Sequence, residues 1–307
     1  MDVIVSEVGP RDGLQSIDRT MPTAIKIEWI TALAAAGLPE IEVGSFVSPR
    51  LLPQMADCAE LVQAANAIPG LGVLALVPNL KGAERAFEAG ALRITMPISA
   101  SETHSRKNIN RTTDEAIADV ARVCALRDSL DGPYREIDAG VSTAFGCTME
   151  GAVDEDRVIE IAVALAKAGA DNIGLSDTTG YGNPAQVRRL FKRLIAEVGD
   201  KAGGAHFHNT RGQGLANVVA ALEVGVTTFD SSQAGLGGCP YAPGATGNIV
   251  TEDLVFLLES MGLDTGVDID KLLDARQIIL KGLPGEPLYG NVPDAGLPKG
   301  FHYARAA

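Results

Sequence analysis

Asp154-Glu-Asp-Arg-Val-Ile-Glu-Ile-Ala-Val-Ala-Leu-Ala-Lys-Ala-Gly169-Ala-Asp-Asn-Ile-Gly-Leu-Ser176 holds one complete step of the fold. Asp154 is a helix-starting residue, and apolar side chains then recur at helical spacing as far as Ala168. Gly169 stands where a helix needs a left-handed closing residue. A short apolar run, Asn172–Ser176, follows at once and reads as a buried strand. The same joint recurs as Glu-Ala-Gly-Ala at 88–91 and Glu-Val-Gly-Val at 223–226. Working outward, eight strand-like runs appear: Val3–Val8, Ile41–Gly44, Val73–Val77, Leu92–Met96, Glu136–Ser142, Asn172–Ser176, Ala205–His208 and Thr228–Ser231. Helical patterns lie between them, over Ala24–Ala36, Leu51–Ala65, Leu80–Ala89, Thr112–Arg127, Asp154–Ala168, Pro184–Val198 and Gln213–Val224. Gly37, Gly90, Gly199 and Gly225 punctuate the helix ends as Gly169 does.

Eight βα units predict an α/β fold, a (β/α)8 TIM barrel. The rival is an open doubly wound sheet, but no GxGxxG follows the first strand. Two further helical patterns, Asn248–Met261 and Asp270–Lys281, extend the chain past the eighth strand. The expected organisation is one catalytic barrel domain over residues 1–282, with a loosely ordered, Pro- and Gly-rich tail over 283–307. Among 307 residues, 34 glycines and 5% aromatics suit parallel sheet under helices.

The balance of 26 basic against 39 acidic residues gives a net charge of −13, which argues against nucleic acid as a partner. No apolar run approaches the ~18 residues of a membrane helix, so no membrane is expected either. Four cysteines, at 58, 124, 147 and 239, are scattered without a CxxC pair. That pattern predicts a reducing, cytoplasmic setting rather than a disulfide framework.

Barrel chemistry collects at the C-terminal ends of the strands. Strand 7 ends in His206-Phe-His208, and residues two apart on a strand share a face. Two imidazoles at a barrel mouth read either as hydrogen-bonded structural histidines or as ligands to one metal. Asp12, at the end of strand 1, lies near strand 7 once the barrel closes, and two histidines with a carboxylate make a divalent site with open positions. Asn209 and Asn248 enrich the surroundings in oxygen, which favours Mg²⁺ or Mn²⁺, although ligand types alone leave non-haem Fe(II) open. Arg11, beside Asp12, is placed to stabilise a developing oxyanion. Cys239 sits in the Gly-rich stretch Gly235-Leu-Gly-Gly-Cys-Pro-Tyr, either as a packing residue or as a loop thiol acting near the metal. Glu42 and Asp177 are acids of the site or partners behind it. No lysine falls on a predicted strand, so a Schiff-base mechanism is not expected.

Several stretches resemble hydroxymethylglutaryl-CoA lyases, metal-dependent barrels related to isopropylmalate synthase. They are Val8-Gly-Pro-Arg-Asp-Gly-Leu-Gln15, Ser45-Phe-Val-Ser-Pro-Arg50, Pro78-Asn-Leu-Lys-Gly82, Lys107-Asn-Ile-Asn110, Gly235-Leu-Gly-Gly-Cys-Pro-Tyr-Ala-Pro-Gly244 and Thr251-Glu-Asp-Leu254. The resemblance covers roughly residues 3–282. It implies a TIM barrel with a divalent cation that cleaves 3-hydroxy-3-methylglutaryl-CoA to acetyl-CoA and acetoacetate. By that resemblance Asp12, His206, His208 and Asn248 are metal ligands, and Arg11 stabilises the product enolate. Cys239 takes part in proton transfer, and Glu42, Asp177 and Glu252 support the site or the helices beside it. The partner implied is an acyl-CoA thioester, the assembly a homodimer or larger homo-oligomer, and leucine breakdown the usual route.

Two departures bear on specificity. The lyases usually read Asp-Thr-Tyr-Gly after the histidine pair, where this chain has Asn209-Thr-Arg211-Gly; Gln233 stands where Val is usual. They make Asn209, Arg211 and Gln233 specificity candidates and leave open another carboxylated 3-hydroxyacyl-CoA. A Claisen-condensing synthase and a non-catalytic thioester binder are the remaining alternatives, and the Cys239 stretch argues against the former.

Overall fold

The computed structural model describes residues 1–237 and 247–306. Eight parallel strands close into a barrel in chain order, the last pairing with the first. They are β1 (Ile4–Glu7), β2 (Glu40–Ser45), β3 (Gly72–Leu76), β4 (Arg93–Ser99), β5 (Glu136–Ser142), β6 (Asn172–Asp177), β7 (Ala202–Phe207) and β8 (Thr228–Ser231). The covering helices are α1 (Thr23–Ala35), α2 (Cys58–Asn66), α3 (Leu80–Glu88), α4 (Glu102–Ile109), α5 (Thr113–Asp128), α6 (Glu155–Ala168), α7 (Pro184–Val198) and α8 (Gly214–Leu222). The TIM barrel expected from the eight βα joints is therefore the fold. Asp154 caps α6 by accepting from Asp156 N at 2.9 Å, and Gly169 closes it at φ 103°. Among the described residues no helix is long and apolar enough to cross a membrane.

Two differences from the sequence pattern have local causes. The helix expected from Leu51 begins only at Cys58, because Pro53 interrupts the preceding turn. Helix α4 has no apolar stripe; it buries only His104 and Ser105, so hydrophobic periodicity does not reveal it. Its start is fixed instead by Ser101, whose Oγ accepts from His104 N at 3.1 Å.

The strands point alternate residues outward to the helices, where Ile41, Val43, Ile137 and Phe207 are buried. The lumen is polar. Arg93 donates to Glu40 at 2.6 Å and to Asp138 at 2.8 Å, while Asn172 Nδ2 donates to Asp138 at 2.8 Å. Burial pushes Asp138 up to about 6 despite the opposing Arg93 guanidinium. This layer closes the barrel beneath the mouth.

Helices α9 (Thr251–Ser260) and α10 (Ile269–Gly282) follow β8, and α10 packs on α1. The tail expected to be loose is fastened. Helix α11 (Asn291–Ala295) starts on the Asp253 carboxylate, which accepts from Asn291 N at 2.9 Å and Val292 N at 2.8 Å. Phe301 stacks on Phe256 with centroids 5.4 Å apart, and Tyr303 Oη accepts from Ile269 N at 3.0 Å.

Glu7, at the end of β1, is wholly buried. Its Oε1 accepts from Gly9 N at 2.7 Å and Gln233 N at 2.9 Å, and its Oε2 lies 2.7 Å from Thr251 Oγ1. Thr251 Oγ1, which donates to Glu7 Oε2, also lies 2.9 Å from Ser231 Oγ and can accept from it. Burial pushes Glu7 up to about 8, and the hydrogen bonds only partly offset that. A carboxyl raised in the folded state keeps its proton there longer than in the unfolded chain. Its contribution is full below the unfolded value near 4.5 and is lost as pH rises through about 8. We expect the wild-type melting temperature to fall across that window and Glu7→Gln, a neutral mimic, to flatten the fall. Glu7→Ala strands two buried N–H groups at ~1–3 kcal/mol each. A pH series of melting curves checks both; identical slopes in wild type and Glu7→Gln would refute the assignment.

Candidate metal centre and active site

Just past β1 the chain makes a single wide turn, with Asp12 N donating to Val8 O at 2.7 Å and Gly13 N to the same oxygen at 3.4 Å. The turn is crowded from both sides. A Cβ at position 9 would stand 2.5 Å from Glu7 Oε1, and one at position 13 would stand 2.9 Å from Leu236 Cβ. Glycine at both positions lets the turn sit against β8's end and bring Arg11 and Asp12 to the mouth. Arg11 Nε donates to Glu42 Oε2, and Nη1 donates to Asp12 Oδ1 at 2.5 Å. Glu42 Oε1 accepts from the Thr95 hydroxyl. Burial opposes every charge here. It raises Glu42 against the pull of Arg11, whereas at Asp12 the guanidinium and the two imidazoles outweigh it and hold the carboxyl well below its usual range. Asp12 therefore stays ionised.

His206 and His208 face Asp12 from the end of β7. Their Nε2 atoms lie 4.0 and 3.8 Å from Asp12 Oδ2, too far to be hydrogen bonds. His206 Nδ1 lies 3.0 Å from Asp230 Oδ2, on the adjacent strand in register with it. That bond fixes the ring so that Nε2 presents its lone pair to the mouth. His208 is 4% exposed, and neither ring nitrogen has a hydrogen-bond partner among the described residues. A buried imidazole whose nitrogens find no partner among the described residues favours a ligand role over a structural one, since burying idle ring nitrogens is costly. Asn248 donates from Nδ2 to Asp12 Oδ2 at 2.7 Å, and its buried Oδ1 has no partner among the described residues. The ligand atoms of Asp12, His206 and His208 lie within 4.8 Å of one another. Idle donor atoms, one ionised carboxylate and two converging imidazoles, one of them oriented by Asp230, fit a divalent cation.

The chain matches the HMGL-like family profile over residues 2–279. The chain belongs to the HMGL-like family. It is 43% identical over 281 residues to the cytoplasmic 3-hydroxy-3-methylglutaryl-CoA lyase of Rattus norvegicus, covering 92% of this chain and 81% of that one. To the hydroxymethylglutaryl-CoA lyase of Bacillus subtilis it is 43% identical over 286 residues, covering 93% and 94%. Among solved structures, an HMG-CoA lyase from Acinetobacter baumannii in complex with coenzyme A and 3-methylmalate superposes with a TM-score of 0.90. The two are 40% identical, and the match covers 98% of this chain and 97% of that one.

Within this HMGL-like barrel the expected site residues divide. Arg11, Asp12, His206, His208, Asn248 and Glu42 converge at the mouth. Cys239 lies outside the described residues. Asp177 is engaged by its own loop, accepting from Tyr181 N at 2.9 Å and Gly182 N at 3.0 Å. Glu252 is buried behind β8, where it accepts from Ala234 N at 3.1 Å and Arg276 Nη1 at 2.6 Å. It supports the turn at Ala234, which has φ 61°.

The specificity candidates turn elsewhere. Asn209 Oδ1 accepts from Gly214 N at 3.0 Å, fastening the start of α8. Arg211 donates from Nη1 to Thr179 O at 3.1 Å and Gly180 O at 3.0 Å, and its guanidinium stacks 4.5 Å from the Tyr181 ring centroid. The side chain of Gln233 bridges helices, accepting from Trp29 Nε1 at 2.5 Å and donating to Leu272 O at 2.5 Å. All three have structural partners away from the donor atoms. Two residues of the site carried no motif: Asp230 orients His206 and Thr95 holds Glu42. Gln15, within the Val8–Gln15 stretch but not singled out, donates to Asp12 Oδ1 at 2.9 Å. Asp230 had a signal, an inward acid on the strand beside the histidines.

Because Asp230 holds the His206 tautomer, Asp230→Asn should weaken Mn²⁺ binding by ~10–100-fold, the usual effect of removing a ligand's outer partner. Manganese titration followed by electron paramagnetic resonance reads this directly. An unchanged dissociation constant would remove Asp230 from the metal centre.

Proposed function

We propose that this chain is a divalent-cation-dependent carbon–carbon lyase that cleaves 3-hydroxy-3-methylglutaryl-CoA to acetyl-CoA and acetoacetate. The observation that carries the reading is the convergence of Asp12, His206, His208 and Asn248 beside a buried guanidinium. In the reaction the tertiary hydroxyl gives up its proton and the C2–C3 bond breaks. The bonding pair passes to the thioester enolate, and acetoacetate keeps the new carbonyl. The enolate carbon then takes a proton.

Mg²⁺ or Mn²⁺ held by the four residues would polarise the hydroxyl and the substrate carboxylate. Arg11 supplies the complementary charge. Glu42 and Asp12 fix Nε and Nη1, and Nη2 has no partner among the described residues, so it can donate to the thioester oxygen as negative charge develops there. Asp230 keeps His206 aimed at the mouth. In this reading Cys239 carries the proton to the enolate. Gly237 and Gly247 are the described residues on either side of its stretch; Gly237 packs against the Asp12–Gly13 turn and Gly247 packs against Gly237. The enzyme acts on an acyl-CoA thioester as a homodimer or larger homo-oligomer. A reducing cytoplasm suits the buried, unbonded Cys58, Cys124 and Cys147.

Purified protein with Mg²⁺ or Mn²⁺ should convert 3-hydroxy-3-methylglutaryl-CoA to acetyl-CoA and acetoacetate, read by chromatography of both products. Arg11→Met should lower turnover by ~10²–10³, the loss expected for one oxyanion partner. Arg11→Lys should not restore it, because an ammonium lacks the planar fork. Near-normal turnover in Arg11→Met would refute the role. Alkylation should inactivate the enzyme and substrate should protect it; full activity with Cys239 modified would make that thiol a packing residue.

A further inference from the structure

We infer that Gly140 sets the size of the acyl group this site accepts, and that the lumen beside His206 takes a C3 branch longer than methyl. The identity of the thioester rests on the lyase reading above; the size of the space does not.

Asp138 faces the lumen, since it bonds Arg93 and Asn172 across it. Two residues on, Gly140 shares that face, while Ala139 and Val141 are buried on the other. A Cβ on Gly140 would meet, among the described residues, only Ser176 Oγ, at 3.7 Å. Ser176 is in register with His206. Position 140 therefore looks across a serine toward a metal-facing imidazole. The barrel layers agree, because side chains of alternate strands such as β5 and β7 share a layer.

Nothing local requires glycine here. Gly140 has no positive φ, and 3.7 Å is an ordinary contact. Its neighbours differ. A Cβ on Gly174 would stand 2.7 Å from Gly204 O, and one on Gly204 would stand 3.0 Å from Thr228 O, so those glycines let strands approach. Glycine inside a strand weakens it and otherwise marks the close approach of a ligand. Among the described residues, a Cβ here would have Ser176 Oγ as its one neighbour within 4 Å, so the missing side chain leaves this stretch of the lumen wall open. The buried His208 ring, without a partner among the described residues, independently points to ligand chemistry at the same mouth. Asn209 and Arg211 are engaged by neighbouring loops, which leaves space rather than added charge as the discriminating feature.

Two measurements separate this inference from the lyase reading. One is turnover, with Mn²⁺, of 3-hydroxy-3-methylglutaryl-CoA and its 3-isobutyl homologue. The other is calorimetric binding of the free acids, 3-hydroxy-3-methylglutarate and 3-hydroxy-3-isobutylglutarate, to the Mn²⁺-loaded protein. Wild type should handle the two branches within about 10-fold, and Gly140→Val should lower the isobutyl-to-methyl ratio at least ~10-fold, the scale of pocket discrimination by one or more methylenes. Gly140→Ala should shift it in the same direction and carries the test if the larger change disturbs folding. Wild-type rejection of the isobutyl branch, a ratio unmoved in both variants, or no binding of either acid would overturn the inference. If no thioester is cleaved but the binding ratio shifts, the lyase reading fails and the size assignment stands.

Discussion

A buried guanidinium must keep carboxylates around it, and the mouth of this barrel is arranged to meet that demand. Arg11 sits between Glu42 and Asp12. Removing either acid takes away one of the two carboxylates that hold the guanidinium in a poorly solvated place, which is costlier than losing a surface pair. Meeting that demand links β1, β2 and β4, because Glu42 is itself held by Thr95. It also keeps Asp12 ionised and immobile. The same ion pairs that hold the side chain therefore prepare the carboxylate for a cation.

The layer beneath repeats the solution. Glu40, Arg93 and Asp138 put alternating charge across the lumen where many barrels carry branched aliphatic residues. The apolar core lies instead between strands and helices, with Phe145, Phe191 and Phe207 stacked outside β7. A polar floor under a polar mouth surrounds the imidazoles with charged and polar groups, while the helices supply hydrophobic burial.

Much of this was legible in the sequence, for physical reasons that differ by element. Glycine punctuation at Gly90, Gly169 and Gly225 marks the αβ joints because only glycine takes left-handed φ there without strain. The histidine pair is legible because strand alternation puts residues two apart on one face. Helix α4 was not, since its stability comes from the Ser101 cap rather than an apolar stripe. Nor was the direction of a polar side chain. Asn209, Arg211 and Gln233 lie close to the site in the chain, yet each has a nearer backbone or indole partner. Pairings across hundreds of residues, such as Asn248 with Asp12, leave no trace in local pattern.

The closure of the barrel has a consequence for how the chain is made. Its first strand pairs with its last, Trp29 reaches Gln233, Gln233 reaches Leu272, and Asp268 N donates to Ala36 O. During synthesis the first βα unit emerges long before those partners exist. Until β8 arrives, one edge of β1 presents unpaired backbone groups, the sort of edge that invites association with another chain. The seam that completes the metal centre cannot close before β8 and the segment carrying Asn248 have been made.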